Sequence, residues 1–257
     1  MDTVDWQWIK PFVTGAALLR IGTAGWSLPR DLAGSFPGDG THLDRYARVF
    51  STAEINSSFY RPHLPRTYAR WAASVPQDFS FSIKLPKAIT HVDRLSASGA
   101  AIDAFLHATA SLGAKFACVL VQLPPSLAFV RVDADAFFRA LRERYSGQVA
   151  VEPRHSSWFE STSNPLLVDY RCARVAADPA RVAGAGRTGG WNGFEYWRLH
   201  GSPRTYHSSY ASADIDKLAA MARHFRIRDR DTWCIFDNTA LGAATANALA
   251  LKRKLAE

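Results

Sequence analysis

Charged and hydrogen-bonding side chains recur at one kind of place in this sequence: the last residues of short apolar runs. Glu54 ends the run TAE, Lys84 ends FSFSIK, Gln122 ends ACVLVQ and Glu152 ends QVAVE. Asp178, Arg198 with His200, and Asp237 with Asn238 close three later runs, and Asn56, Arg154 and His155 follow just behind two of the earlier ones. Two chemistries fit this set. The acids Glu54, Glu152, Asp178 and Asp237, with His155 and His200, are donor types that hold a divalent metal. Lys84, Arg154 and Arg198 stand among them, however, and fixed cations repel a bound cation. The alternative needs no metal or cofactor. Arg154 and Arg198 offer planar forks for a carboxylate or phosphate, with Lys84 as a third positive point. Glu152 or His200 then serves as general base or acid.

On this metal-free reading the catalytic set is Glu152, His200, Lys84, Glu54, Asp178 and Asp237. The ligand-binding set is Arg154, Arg198, Asn56, Tyr60, Gln122, His155, Trp158, Asn238 and Trp26. A purely structural reading, in which these groups are buried ion pairs, stands beside it. Burying charge is expensive and apolar packing avoids it, which favours use. The aromatics Trp26, Phe59, Tyr60, Trp158, Tyr206 and Tyr210 lie in or beside the same loops and suit stacking on a base or sugar ring, or packing as lids. Gly184, Gly186 and Gly189 match a dinucleotide fingerprint, but WNGFEYW follows instead of a helix, so a flexible loop is expected. Ser156 and Ser157 adjoin His155 without the GxSxG elbow of a serine hydrolase. His91 either reaches the rim or caps a loop.

The elements that must position these groups follow from periodicity. Strand-like runs at 18–25, 52–59, 79–86, 117–124, 148–154, 174–179, 195–201 and 233–239 alternate with helical patterns at 41–50, 65–74, 99–112, 133–145, 163–171, 212–226 and 242–256. Such alternation predicts an α/β protein whose parallel sheet closes into a (β/α)8 TIM-type barrel, with functional groups at the strand C-termini. Residues 1–17 read as an N-terminal extension and 18–257 as one domain. Strand alternation puts Glu54 with Asn56, Ser82 with Lys84, Glu152 with Arg154, and Arg198 with His200 on shared faces. The opposite parity is apolar: Ile83 and Leu85, Val149 and Val151, Trp197 and Leu199.

These blocks carry a resemblance. GTAGWS (22–27), FPGDG (36–40), the long stretch AEINSSFY to KAITH (53–91), QLPPS (122–126), VEPRHSSWF (151–159), WRLHGSPRTY (197–206) and FDNTALGAATANAL (236–249) resemble, in order, the YecE-like family, or domain of unknown function 72. The resemblance covers nearly everything after residue 17 and implies a TIM-type barrel. It implies no reaction. The spacer 187–197 and the first 17 residues depart from the family pattern.

Composition bounds the rest. With 47% hydrophobic and 21% charged residues the chain is globular, long enough to close a core without a metal or disulfide staple. No run approaches the ~18 apolar residues of a membrane span. Asp2, Asp5, Lys10 and Pro11 break any secretion-signal pattern, so a cytoplasmic location is expected. Cys118, Cys172 and Cys234 have no metal-ligand spacing and read as small buried hydrophobes. The net charge of +8 comes from 24 Arg and 7 Lys against 23 acids. It points to an acidic partner, although Arg-rich, Ala-rich usage also reflects genome composition. Arg139, Arg142 and Arg144 read as a solvated helix face. The function expected is therefore an enzyme of hydrolase or lyase type acting on an anionic, phosphorylated or nucleotide-like ligand. The alternatives are a nucleic-acid-binding module without turnover, or a metal-dependent phosphodiesterase- or isomerase-like barrel. Oligomeric state is not legible.

Overall fold

The computed structural model describes residues 17–96, 99–227 and 230–257. The expected N-terminal extension, apart from Ala17, lies outside them. The chain alternates strand and helix: β1 (Leu19–Thr23), α1 (His42–Ala47), β2 (Thr52–Ile55), α2 (Pro65–Ala73), β3 (Ser80–Lys84), α3 (Gly99–Thr109), β4 (Phe116–Gln122), α4 (Arg131–Arg142) and β5 (Gln148–Glu152). There follow α5 (Asn164–Asp169), β6 (Cys172–Arg174), β7 (Ala176–Asp178), β8 (Gly189–Gly190), β9 (Phe194–Leu199), α6 (Ser212–Ile227), β10 (Asp231–Phe236) and α7 (Ala243–Ala256). All seven helical patterns read from the sequence are occupied by helices. Among the described residues, no helix is long and apolar enough to cross a membrane.

Local rules account for several boundaries. Thr41 and Asp44 form a reciprocal capping box that starts α1. Pro65 opens α2, where its missing N–H costs nothing. Helix α4 buries Ala134, Phe137, Phe138 and Leu141, a stripe at helical spacing, against the strands.

The strands form two largely parallel sheets rather than one hydrogen-bonded cylinder. Their orders are β1-β10-β9-β7 and β2-β3-β4-β5-β6-β8, with β8 antiparallel to β6. At one seam a parallel bridge joins Ala24 to Glu54, and Gly25 N–H donates to the Glu54 carbonyl at 2.8 Å. Gly22 permits that approach, because a side chain there would strike the Thr52 backbone oxygen. At the other seam one extended run serves both sheets: β6 pairs with β5, and β7, one residue later, pairs with β9.

Alternation divides the strands into two cores. Ile83, Val119, Val121, Val149, Val151 and Leu199 face the helices. Cys118, Leu120, Ala150, Tyr196, Trp233 and Ile235 come from both sheets and pack between them. All three cysteines are buried and unpaired. The predicted solvated face of α4 is only part right. Arg139 pairs with Asp135 at the surface and Arg144 with Asp103. Arg142 instead turns inward and donates to the carbonyls of Tyr170, Gly147 and Arg171 at 2.7, 2.6 and 2.8 Å. Its guanidinium fork satisfies carbonyls that the loop ends leave without partners.

Candidate functional site

The face that carries Leu120, Ala150, Tyr196 and Ile235 becomes charged two residues further along each strand. Gln122, Glu152, Arg198 and Asp237 follow them, with Glu54 from β2, Lys84 from β3 and His200 just beyond β9. Arg198 is the hub and is completely buried. Its Nε and Nη2 grip Glu54 Oε2 and Oε1 at 3.0 and 2.7 Å. Its Nη1 reaches Glu152 Oε2 at 2.7 Å, and Nη2 also reaches Asp237 Oδ2 at 2.9 Å. Gln122 Nε2 donates to Glu152 at 2.8 Å, and the Tyr196 hydroxyl lies 3.0 Å from Glu54 and 2.8 Å from Ser82 Oγ.

His200 bridges two of these acids, with Nδ1 3.0 Å from Asp237 Oδ2 and Nε2 3.0 Å from Glu152 Oε1. An ionised carboxylate only accepts, so both ring nitrogens must donate and the ring is an imidazolium. Burial opposes that charge, but Glu152 and the two hydrogen bonds outweigh it and raise the His200 pKa above its ordinary value. Glu152 is likewise opposed by burial, yet Arg198, His200 and Arg154 hold its carboxyl well below the usual range. Asp237 is depressed as well, by Arg198 and His200 working against burial.

Lys84 stands apart. Its side chain is buried and its Nζ lies 3.9 Å over the Phe59 ring. Among the described residues its Nζ makes no ion pair or hydrogen bond. Burial first, and Arg198 second, pull its pKa down to about 8 despite Glu152, Glu54 and Asp237. His91 packs edge-on to the same Phe59 ring and bonds to Thr90 Oγ1 at 2.8 Å. Burial, then Lys84 and Arg154, push His91 down to about 4, so it is neutral at pH 7. Arg154 reaches Glu152 Oε1 and the Tyr206 hydroxyl, both at 3.3 Å. Tyr206 adopts a left-handed backbone (φ 69°) that sets its ring against His200; a non-glycine residue there is uncommon.

The structure thus brings together Glu54, Lys84, Gln122, Glu152, Arg154, Arg198, His200 and Asp237. It redirects others. Asp178 turns aside and accepts from the Tyr210 hydroxyl at 2.8 Å. Trp158 cannot stack on a ligand, being fully buried with its indole N–H on the Leu127 carbonyl. His155 Nδ1 caps a short helical turn by accepting from Ser157 N–H at 3.3 Å and lies 2.8 Å from Ser157 Oγ, which also accepts from Phe129 N–H. Asn238 donates to Ser208 and Asn247. Tyr60 is exposed. Asn56 and Trp26 line a separate open pocket of about 410 Å3 beside the ends of β1 and β2, where Asn56 Oδ1 is enclosed without a partner. The glycine stretch 184–189 runs into β8 instead of a helix, so there is no phosphate cradle.

Charge bookkeeping changes accordingly. Sequence placed four acids against three cations. With Asp178 gone and His200 protonated, three acids face Arg198, Arg154, Lys84 and His200. Among the described residues no three His, Cys, Asp or Glu are disposed to hold a metal; the guanidinium of Arg198 occupies the space between the carboxylates. The groups that sequence reasoning passed over are Tyr196 and the Phe59–Lys84 contact. Tyr196 shares the parity of Arg198, a signal that was available; the contact was not.

The chain is 28% identical over 175 residues to the UPF0759 protein YecE of Escherichia coli, a match covering 65% of this chain and 62% of that protein. The chain therefore spans less than two thirds of that relative's length. Among solved structures, a DUF72 family protein from Enterococcus faecalis superposes with a TM-score of 0.79 at 20% identity, covering 93% of this chain and 96% of that one. A DUF72 family protein from Thermotoga maritima gives 0.77 at 25% identity, covering 93% and 100%. The family model described as "Protein of unknown function DUF72" matches residues 20–257, and the chain belongs to that family.

Proposed function

We propose that the protein is an enzyme acting on a small anionic ligand at the C-terminal ends of its strands, with hydrolase- or lyase-type chemistry. One observation carries this reading: Lys84 is a buried cation without a protein counter-ion of its own, in a cluster whose other cations already match its acids. A buried unpaired charge costs free energy that apolar packing would avoid, and an incoming anion relieves it. The clamp differs from the one drawn from sequence. Arg198 is spent on three carboxylates, so Lys84 and Arg154 face the ligand while Arg198 fixes the acids in place. Glu152, whose oxygens already accept from four side chains, is a poor base. His200 is suited to donate a proton, and Lys84, titrating nearer neutrality, to accept one. Trp158 and Phe59 are packed inside, which disfavours the nucleic-acid alternative.

The same reading includes the finer architecture. The Ala24–Glu54 bridge and the run shared by β6 and β7 support the two sheets being arcs of one (β/α)8 ring within a single domain, its mouth being the charged end. Thermal unfolding with and without inorganic phosphate or a small carboxylate at pH 7 tests the binding. Saturable stabilisation is expected for the natural chain, since a ligand at ~100 times its Kd adds about 2.7 kcal/mol, and Lys84→Met should lose it. Absence of any anion effect on the natural chain overturns the reading.

A further inference from the structure

The Lys84 amine has the surroundings of a nucleophile rather than of a salt-bridge partner. Each neighbouring acid is claimed by another cation: Glu54, Glu152 and Asp237 by Arg198, and the last two also by His200. The amine rests on an aromatic face instead of a carboxylate. Lys84 keeps 5% of its surface exposed. A lysine held this way sheds its proton readily, and the neutral amine adds to carbonyl carbon.

We propose that Lys84 forms a Schiff base with a carbonyl compound bearing an anionic group, such as a 2-oxo acid or a phosphorylated aldehyde. This rests on the anion-binding reading above and names its substrate class and covalent step. The neutral amine's lone pair attacks the carbonyl carbon, making a C–N bond while the carbonyl π pair moves to oxygen. A proton passes from nitrogen to that oxygen to give the carbinolamine. The hydroxyl then takes up a proton and leaves as water, and the nitrogen lone pair forms the iminium. Amine, carbonyl and one proton become iminium and water, with no oxidant or reductant consumed. Arg154 is placed for the ligand's anionic group. The iminium carries the positive charge the ammonium had, in the field of Glu54, Glu152 and Asp237.

The probe is glyoxylate with borohydride, followed by peptide mass mapping of the full-length protein. Reduction fixes the adduct as a mass gain of the carbonyl compound less one oxygen. The seven lysines of the chain compete, and modification concentrated on Lys84 is expected, increasing as pH rises through about 8. That profile reflects the amine's surroundings: burial, then Arg198, lower its proton affinity, while Glu152, Glu54 and Asp237 raise it. Lys84→Arg should lose the adduct. Modification spread evenly over exposed lysines, or no adduct at Lys84 while phosphate still stabilises the natural chain, overturns the Schiff base and leaves the anion reading intact. Failure of phosphate to stabilise the natural chain removes the broader reading instead.

Discussion

The space between the two sheets holds two layers built by the same strands, and they obey opposite rules. In the lower layer Leu120, Ala150, Tyr196 and Ile235 pack as an ordinary apolar core. Two residues further along, Gln122, Glu152, Arg198 and Asp237 continue the same faces as an almost fully buried ion cluster. Both layers are equally buried, so burial alone does not distinguish a structural region from a functional one. The distinction lies in surplus. The lower layer satisfies itself, apart from the Tyr196 hydroxyl that reaches up to Glu54. The upper layer satisfies Arg198 and its acids but leaves Lys84 over.

Substitutions that break each layer separately sharpen the contrast. The largest effect is expected from Arg198→Met, which strands three carboxylates in a buried site. Removing one partner of a buried pair costs about 3–5 kcal/mol, so a loss at or above that range is expected in denaturant titration at pH 7. A loss below ~1 kcal/mol would mean that water replaces the guanidinium freely. Leu120→Ala opens the lower layer and should cost about 2–5 kcal/mol by lost transfer and cavity formation. Its cost should be the same at pH 5 and pH 8, unlike that of any change in the ion cluster.

Lys84→Met should do the reverse and stabilise the protein at neutral pH. The amine titrates at about 8 in the fold against 10.5 ordinarily, which sets up to about 3 kcal/mol against the charged form. Between those values the unfolded chain binds more protons, so natural stability rises with pH there and the variant's advantage fades. A variant that gains nothing at pH 7 would show that Lys84 is already compensated. The smallest effect is expected from His200→Gln. The folded His200 pKa is raised, so its contribution is full below about 6.5 and lost as pH rises through the folded value. The destabilisation by the variant should therefore be larger at pH 6 than at pH 9.

Much of this was legible beforehand. Seven helices and the strand run lie where periodicity put them, because a stripe such as Ala134, Phe137, Phe138 and Leu141 is a local property. Alternation also identified the faces carrying Glu152 and Arg198. Three of the rim residues do not join the cluster, for a common reason. Asp178, Trp158 and His155 have the right types in the right loops, but each found a closer partner: Tyr210, the Leu127 carbonyl and Ser157. Sequence position says that a polar group stands at a strand end, not which neighbour claims it first.

The sequence by itself determined the order of elements, the two faces of each strand and the stock of charged groups at the strand ends, since all three depend on spacing within a few residues. Only the tertiary structure decided how that stock is shared. Arg198 meets Glu54 across 144 positions of chain, and Tyr196 meets the same carboxylate across 142. Electrostatic energy inside a protein depends on separations of a few ångströms between such distant residues. That is why the same inventory of acids and cations reads as a nearly balanced rim in the sequence and as a cluster with one lysine to spare in the fold.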